Sequence, residues 1–177
     1  MIYASDVVEK DALRTVAGLM AAAARTAPKA KGVDTILTMV VDGAEKDAIA
    51  AEMRKIAEGG ENFASFGRDA GNVDASEYVV LLAATDKPVG LSLCSLCGFE
   101  NCAAATAAGA PCAFNISDLG TAACSACVVA SNHFVDNRLM YTVGMAASRL
   151  GLFNTKVRAC YGIPISTKGK SVYFDRK

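Results

Sequence analysis

Neither sign of charge is in surplus in this sequence: 18 lysines and arginines stand against 18 aspartates and glutamates. Without a basic patch there is no footprint for nucleic acid, and without a polybasic run there is none for a membrane surface. Histidine occurs once, at His133. No Ser/His/Asp or paired-carboxylate arrangement can be argued from such a chain, and a lone histidine with no partner in view is expected to be structural. An apolar leader is missing as well. The opening residues, MIYASDVVEKDALRTV, carry charge where a secretory signal would carry its apolar core, so a cytoplasmic chain is expected. Two uncharged stretches, 101–117 and 119–135, approach the length of a membrane span. Their Asn, Gly, Pro, Cys, Ser and His suit a core and a site instead.

What is present is apolar: 53% of the 177 residues are hydrophobic and 20% are charged. Such a chain is expected to form one domain, 1–177, with a core large enough to need no disulfide. Its seven cysteines are unevenly placed. Residues 94–102 read CSLCGFENC, and Cys112 follows ten positions later. Cys94, Cys97, Cys102 and Cys112 thus have the spacing C-x2-C-x4-C-x9-C within a loop of residues 94–112. In a reducing compartment such crowding points to metal rather than to disulfides.

A cubane iron–sulfur cluster needs four thiolates converging on one small volume. A C-x2-C step brings two sulfurs to it from one tight turn. Gly98 permits unusual backbone angles there, and Ala103, Ala104 and Ala105 let a helix approach closely. A structural zinc site also uses four thiolates, commonly as two separated C-x2-C knuckles, the second of which Cys124 and Cys127 could supply. Those two, three residues apart, share one face of a helix. They could form a redox dithiol, supply Cys124 as a substitute for Cys112, or simply be small buried side chains, the reading that free cysteine favours. Cys160 reads as core.

Periodicity predicts a helix over about Asp6–Ala24, with Asp6 and Glu9 as a capping box and Leu13, Val16, Ala17, Met20 and Ala24 as its apolar stripe. Pro28 and Gly32 end it. ILTMVV (36–41) and YVVLLAA (78–84) read as buried strands. Residues 44–58 read as a second helix stopped by Gly59 and Gly60. Residues 61–76 read as a polar stretch with Phe63 and Phe66 tucked inward. Helical signals return at Ala103–Ala108, after Asp118, and over Asp136–Leu150, where Asp136 would cap and Leu139, Val143, Ala146 and Leu150 would share a face. VRACYGIPI (157–165) and SVYFD (171–175) read as strands. The alternation predicts an α+β fold of three layers, a mixed central sheet flanked by helices.

The stretch CSLCGFENCAAATAAGAPCAFNISDLGTAACSACVVASNHFVDNRLMYTVGMAA, with DLGTA, VDNRLMYTVGMAA and YGIPIS, resembles the DUF2148 family of proteins containing a ferredoxin domain. That resemblance covers roughly residues 75–177. It implies a [4Fe-4S] cluster on Cys94, Cys97, Cys102 and Cys112. Across the whole chain, the order of AARTAPKAKGVDTI, strand, helix, VDNRLMYTVGMAASRLGL and GIPIS is similar to the nitroreductase-like FMN fold. This second likeness implies a homodimer that binds FMN. Arg25, Lys29 and Lys31 lie in the loop expected to meet the phosphate or flavin edge, and Lys168, Lys170 and Arg176 are later candidates. Three functions follow as expectations: an iron–sulfur flavoprotein oxidoreductase, a flavin-free electron carrier or cluster-delivery protein with a redox partner, or a zinc-stabilised interaction protein.

Overall fold

A computed structural model describes residues 1–174 of the chain. Four strands form its sheet: β1 (Ile36–Val41), β2 (Tyr78–Thr85), β3 (Asp136–Asn137) and β4 (Val157–Ser166), in the spatial order β1-β2-β4-β3. Six helices surround it: α1 (Ser5–Thr26), α2 (Gly43–Ala57), α3 (Ala64–Asp74), α4 (Cys102–Ala107), α5 (Ala113–Asn132) and α6 (Tyr141–Arg149). The three expected layers are present. The described strand pairings are antiparallel rather than mixed.

The strands alternate between two cores, as the period of two requires. Tyr78, Val80, Leu82 and Ala84 of β2 face α1 and α5, beside Leu13, Met20, Leu119, Ala123 and Ala126. Val79, Leu81 and Ala83 face α2, α3 and α6, beside Ile49, Met53, Val73, Val143 and Ala147. Both faces of β2 are therefore covered, which is why YVVLLAA is apolar at every position instead of alternating. Full burial of a side chain such as Leu13 or Leu82 contributes about 1.5–3 kcal/mol.

Two glycines set how closely α6 lies on β4. A Cβ added at Gly144 would stand 1.8 Å from the carbonyl oxygen of Cys160, and one at Gly162 would stand 2.1 Å from Cγ1 of Val143. Each element thus contributes a missing side chain at the contact.

Several local expectations are corrected. The first helix begins at Ser5 behind Ala4, without a side-chain cap, so the Asp6–Glu9 capping box does not form. Residues 64–74 are helix α3, which two glycines and scattered polar residues conceal. Phe66 is buried, but Phe63 is 42% exposed and meets it edge to face. Asp136 does not cap a helix. It lies in β3 opposite Ser166, and α6 starts five residues later, after the bridge between Met140 and Gly162. Val143 and Ala146 are buried as expected, whereas Leu139 and Leu150 are exposed. Residues 171–174 form no strand, and Asp175 lies outside the described residues.

The stretch 113–132 is a single helix, α5, long and apolar enough to cross a membrane by length and composition. It packs Leu119, Ala122, Ala123, Ala126 and Ala130 into the core beside α1. His133 follows its last turn, exposed, with Nδ1 2.8 Å from the carbonyl oxygen of Val129.

Candidate metal centre

The chain leaves β2 at Thr85 and does not regain regular structure until Cys102, where α4 begins. Short local bonds fold this segment. Gly98 takes φ +83° and donates its N–H to the carbonyl of Ser95 at 2.9 Å, closing the turn that follows Cys94 and holds Cys97. Asn101 then caps α4: its Oδ1 accepts from the N–H of Ala104 at 2.9 Å. Gly109, at φ +69°, turns the chain out of α4, and Ala110 donates to the carbonyl of Ala105. Cys112 stands at the N-cap of α5.

These turns bring four cysteines to one cavity. Cys94, Cys97, Cys102 and Cys112 all line one pocket, together with Leu96, Ala105, Ala110 and Phe114. All four are half-buried with free thiols. The lining is mostly apolar, and it is met by the starts of both α4 and α5. Cys124 and Cys127 do not line this pocket. They lie more than two turns along α5, Cys124 exposed and Cys127 packed against the α1 side of the core. Burial, and then the neighbouring Cys124, push the Cys127 thiol up to about 11. Cys160 is buried on the other face of the sheet, and burial pushes its thiol up to about 12.

Among the described residues, no three His, Cys, Asp or Glu side chains converge tightly enough to hold a single metal ion. Four thiols lining one mostly apolar pocket are the donor set that a group of several metal atoms takes, one sulfur to each. The donor set therefore fits an iron–sulfur cluster.

Partners from far along the sequence hold part of the wall in place. Asp86 lines the pocket and pairs with Lys156 at 2.9 Å and with Arg158 of β4. Hydrogen bonds from Lys156 and Arg158 hold its carboxyl below the usual carboxylate range. Asn115, 1% exposed, donates its amide to the carbonyls of Thr85 and Lys87 and so ties the first turn of α5 to the exit of β2. Asn101 carries a legible signal, a capping residue just before an Ala-rich run. Asp86 and Asn115 carry none, because their partners are 28 to 72 positions away.

The residues expected at a flavin behave differently from the cysteines. Arg25 donates to Asp34 and to the carbonyl of Ile36, both at 2.5 Å, joining the end of α1 to β1. Burial disfavours the charge on Asp34, but the Arg25 bond, the Ile36 amide and the charges of Arg25 and Lys29 outweigh it and lower its pKa. Lys29 donates to the carbonyls of Ala24, Arg25 and Ala27, which closes the C-terminus of α1. Lys31 is exposed on its neighbour's turn at φ +58°, with one 3.4 Å bond to the carbonyl of Gly90. Two of the three cations are thus spent inside the chain. Lys168 pairs with Glu77 at 3.1 Å, Lys170 is exposed, and Arg176 lies outside the described residues.

A protein of Archaeoglobus fulgidus is 42% identical over 177 residues, covering 95% of this chain and 94% of its own length. The family model described as "Uncharacterized protein containing a ferredoxin domain (DUF2148)" matches residues 108–176. The chain belongs to the DUF2148 family. The matched span includes Cys112 and begins after the other three pocket cysteines. Among solved structures, a nitroreductase with bound FMN from Desulfitobacterium hafniense superposes with a TM-score of 0.61 at 14% identity, over 96% of this chain and 81% of its own. The FMN-dependent nitroreductase from Mycobacterium smegmatis in complex with NADPH gives 0.57 at 14% identity, over 88% and 78%. At such identities the likeness establishes the fold: this DUF2148 chain has the nitroreductase-like architecture.

Proposed function

We propose that this DUF2148 chain is an iron–sulfur redox protein that holds a [4Fe-4S] cluster on Cys94, Cys97, Cys102 and Cys112. The observation that carries this reading is that those four cysteines, and neither Cys124 nor Cys127, line one apolar pocket. The cluster would supply reversible one-electron storage at a potential that the surrounding protein sets. The chain's own residues have definable parts. Gly98 and Asn101 fix the turns that present the thiols. Ala105, Ala110 and Phe114 limit water at the sulfurs, and Asp86, held by Lys156 and Arg158, fixes the pocket wall. Thiolate ligands of this kind suit a reducing cytoplasm.

In the fuller form of this reading, the nitroreductase-like body pairs as a homodimer and binds FMN, making an oxidoreductase that passes electrons between cluster and flavin. Its support is the fold shared with a nitroreductase with bound FMN and with an FMN-dependent nitroreductase. A second reading, an electron carrier or cluster-delivery protein without flavin, is favoured by one observation: Arg25 and Lys29 already donate within the chain. Anaerobic reconstitution with iron, sulfide and FMN tests both readings. Four irons and four sulfides per chain are expected. One equivalent of FMN retained through gel filtration supports the oxidoreductase, and cluster without flavin supports the carrier. One equivalent of zinc with no iron or sulfide, in protein purified without oxygen, would defeat both.

A further inference from the structure

We propose that the mouth of the cysteine pocket is a docking surface for a small acidic electron-transfer protein; the proposal rests on the reading of that pocket as a cluster site. Leu93 and Leu96 flank Cys94, and both turn outward, 96% and 65% exposed. Two leucines left in water beside a functional cavity form an apolar patch that a contact would cover. Cations edge this patch. Lys87 is exposed between Asp86 and Pro88, which both line the pocket. Lys156 and Arg158 converge on Asp86, so their two positive charges outnumber its one negative charge. Lys31 reaches the base of the loop at Gly90.

Against these four cations stand two anions, Asp86 and the exposed Glu100, in a chain whose formal net charge is zero. An apolar centre with a charged rim is the usual anatomy of a protein interface. Complementary charge at the rim speeds encounter and selects the partner, which here must be negative. The small extent of the patch suits the brief, low-area contacts of electron-transfer partners. Docking there would bring the partner's own redox centre to the pocket that holds the four thiols.

The test is a calorimetric titration of the full chain, loaded with iron and sulfide, with a small acidic bacterial ferredoxin as the probe. Binding at low ionic strength is expected, weakening at least tenfold on adding 0.5 M salt. Lys87→Glu and Lys156→Glu should each weaken it about tenfold at low salt. Leu96→Ser should weaken it several-fold at every salt concentration. Each variant's iron and sulfide content and visible spectrum report the cluster separately, so a chain that binds no iron refutes the pocket reading, while one that loads fully and ignores the ferredoxin refutes only the docking surface. Three other outcomes would also overturn the proposal: affinity unchanged from the parent chain in both charge-reversed variants, tighter binding of the basic protein cytochrome c, or self-association abolished by Leu96→Ser, which would make the face a contact between two copies of this chain.

Discussion

Four cysteines of this chain meet at one pocket, and three others are dispersed through the body of the fold. The two groups share a side-chain chemistry and differ in everything around it. Cys94, Cys97, Cys102 and Cys112 are half-buried in a segment held by turns and helix starts. Cys127 and Cys160 are packed into opposite faces of the three-layer body, and Cys124 stands exposed on α5. The difference shows that spacing alone does not bring a cysteine to the pocket. Cys124 and Cys127 repeat the C-x2-C step of Cys94 and Cys97. They repeat it inside a continuous helix, where the backbone is committed to its own hydrogen bonds and the thiols project sideways from the helix.

The sharpest way to break this comparison is to remove the thiols one at a time. Serine at position 94, 97, 102 or 112 should abolish stable binding of four irons and four sulfides on anaerobic reconstitution, because each iron of a cubane takes one cysteine. Serine at 124, 127 or 160 should leave the iron and sulfide content unchanged. Retention of a full cluster in Cys112→Ser together with its loss in Cys124→Ser would reverse the assignment of the fourth ligand.

Stability should respond in the opposite way. Gly144→Ala forces a methyl group to within 1.8 Å of the Cys160 carbonyl, at a contact of backbone on backbone that no rotamer change relieves. It should cost about 3 kcal/mol or more, the upper end of overpacking, measured by urea unfolding. Cys160→Ser places a hydroxyl in the same core and should cost about 1–3 kcal/mol. A serine at Cys94, in the half-buried loop, should change the unfolding midpoint of the metal-free chain much less. Equal losses at positions 94 and 160 would erase the distinction between site and core.

The same contrast explains what the sequence made legible. The three layers were readable because β2 is apolar at all its buried positions and because Leu13, Val16, Ala17, Met20 and Ala24 recur with helical period. The cysteine loop was readable because its four cysteines are close in sequence and punctuated by Gly98. Helix α3 was not, since Gly67 and Gly71 dilute its apolar face. Nor was the true start of α6: Asp136 is a good capping residue by type, and only its pairing with Ser166, thirty positions on, draws it into the sheet. The engagement of Arg25 and Lys29 was equally hidden. Loop cations look alike in sequence whether they face a phosphate or close the end of their own helix.

The smallest expected effect concerns the reactivity of the dispersed group. Thiolate is the form that reacts with an alkylating reagent, and burial raises the Cys127 thiol to about 11. Raising a thiol pKa favours the protonated form, so at pH 8 roughly one Cys127 side chain in a thousand is thiolate. Its alkylation by iodoacetamide should therefore rise about tenfold per pH unit from pH 8 to pH 10 and level off only near pH 11. Peptide mass spectrometry of cluster-loaded protein follows this site without interference from the pocket thiols, which the cluster occupies. A plateau by pH 9 would mean that Cys127 is an activated thiol, and the C-x2-C of α5 would then join the pocket cysteines as a reactive pair instead of belonging to the core.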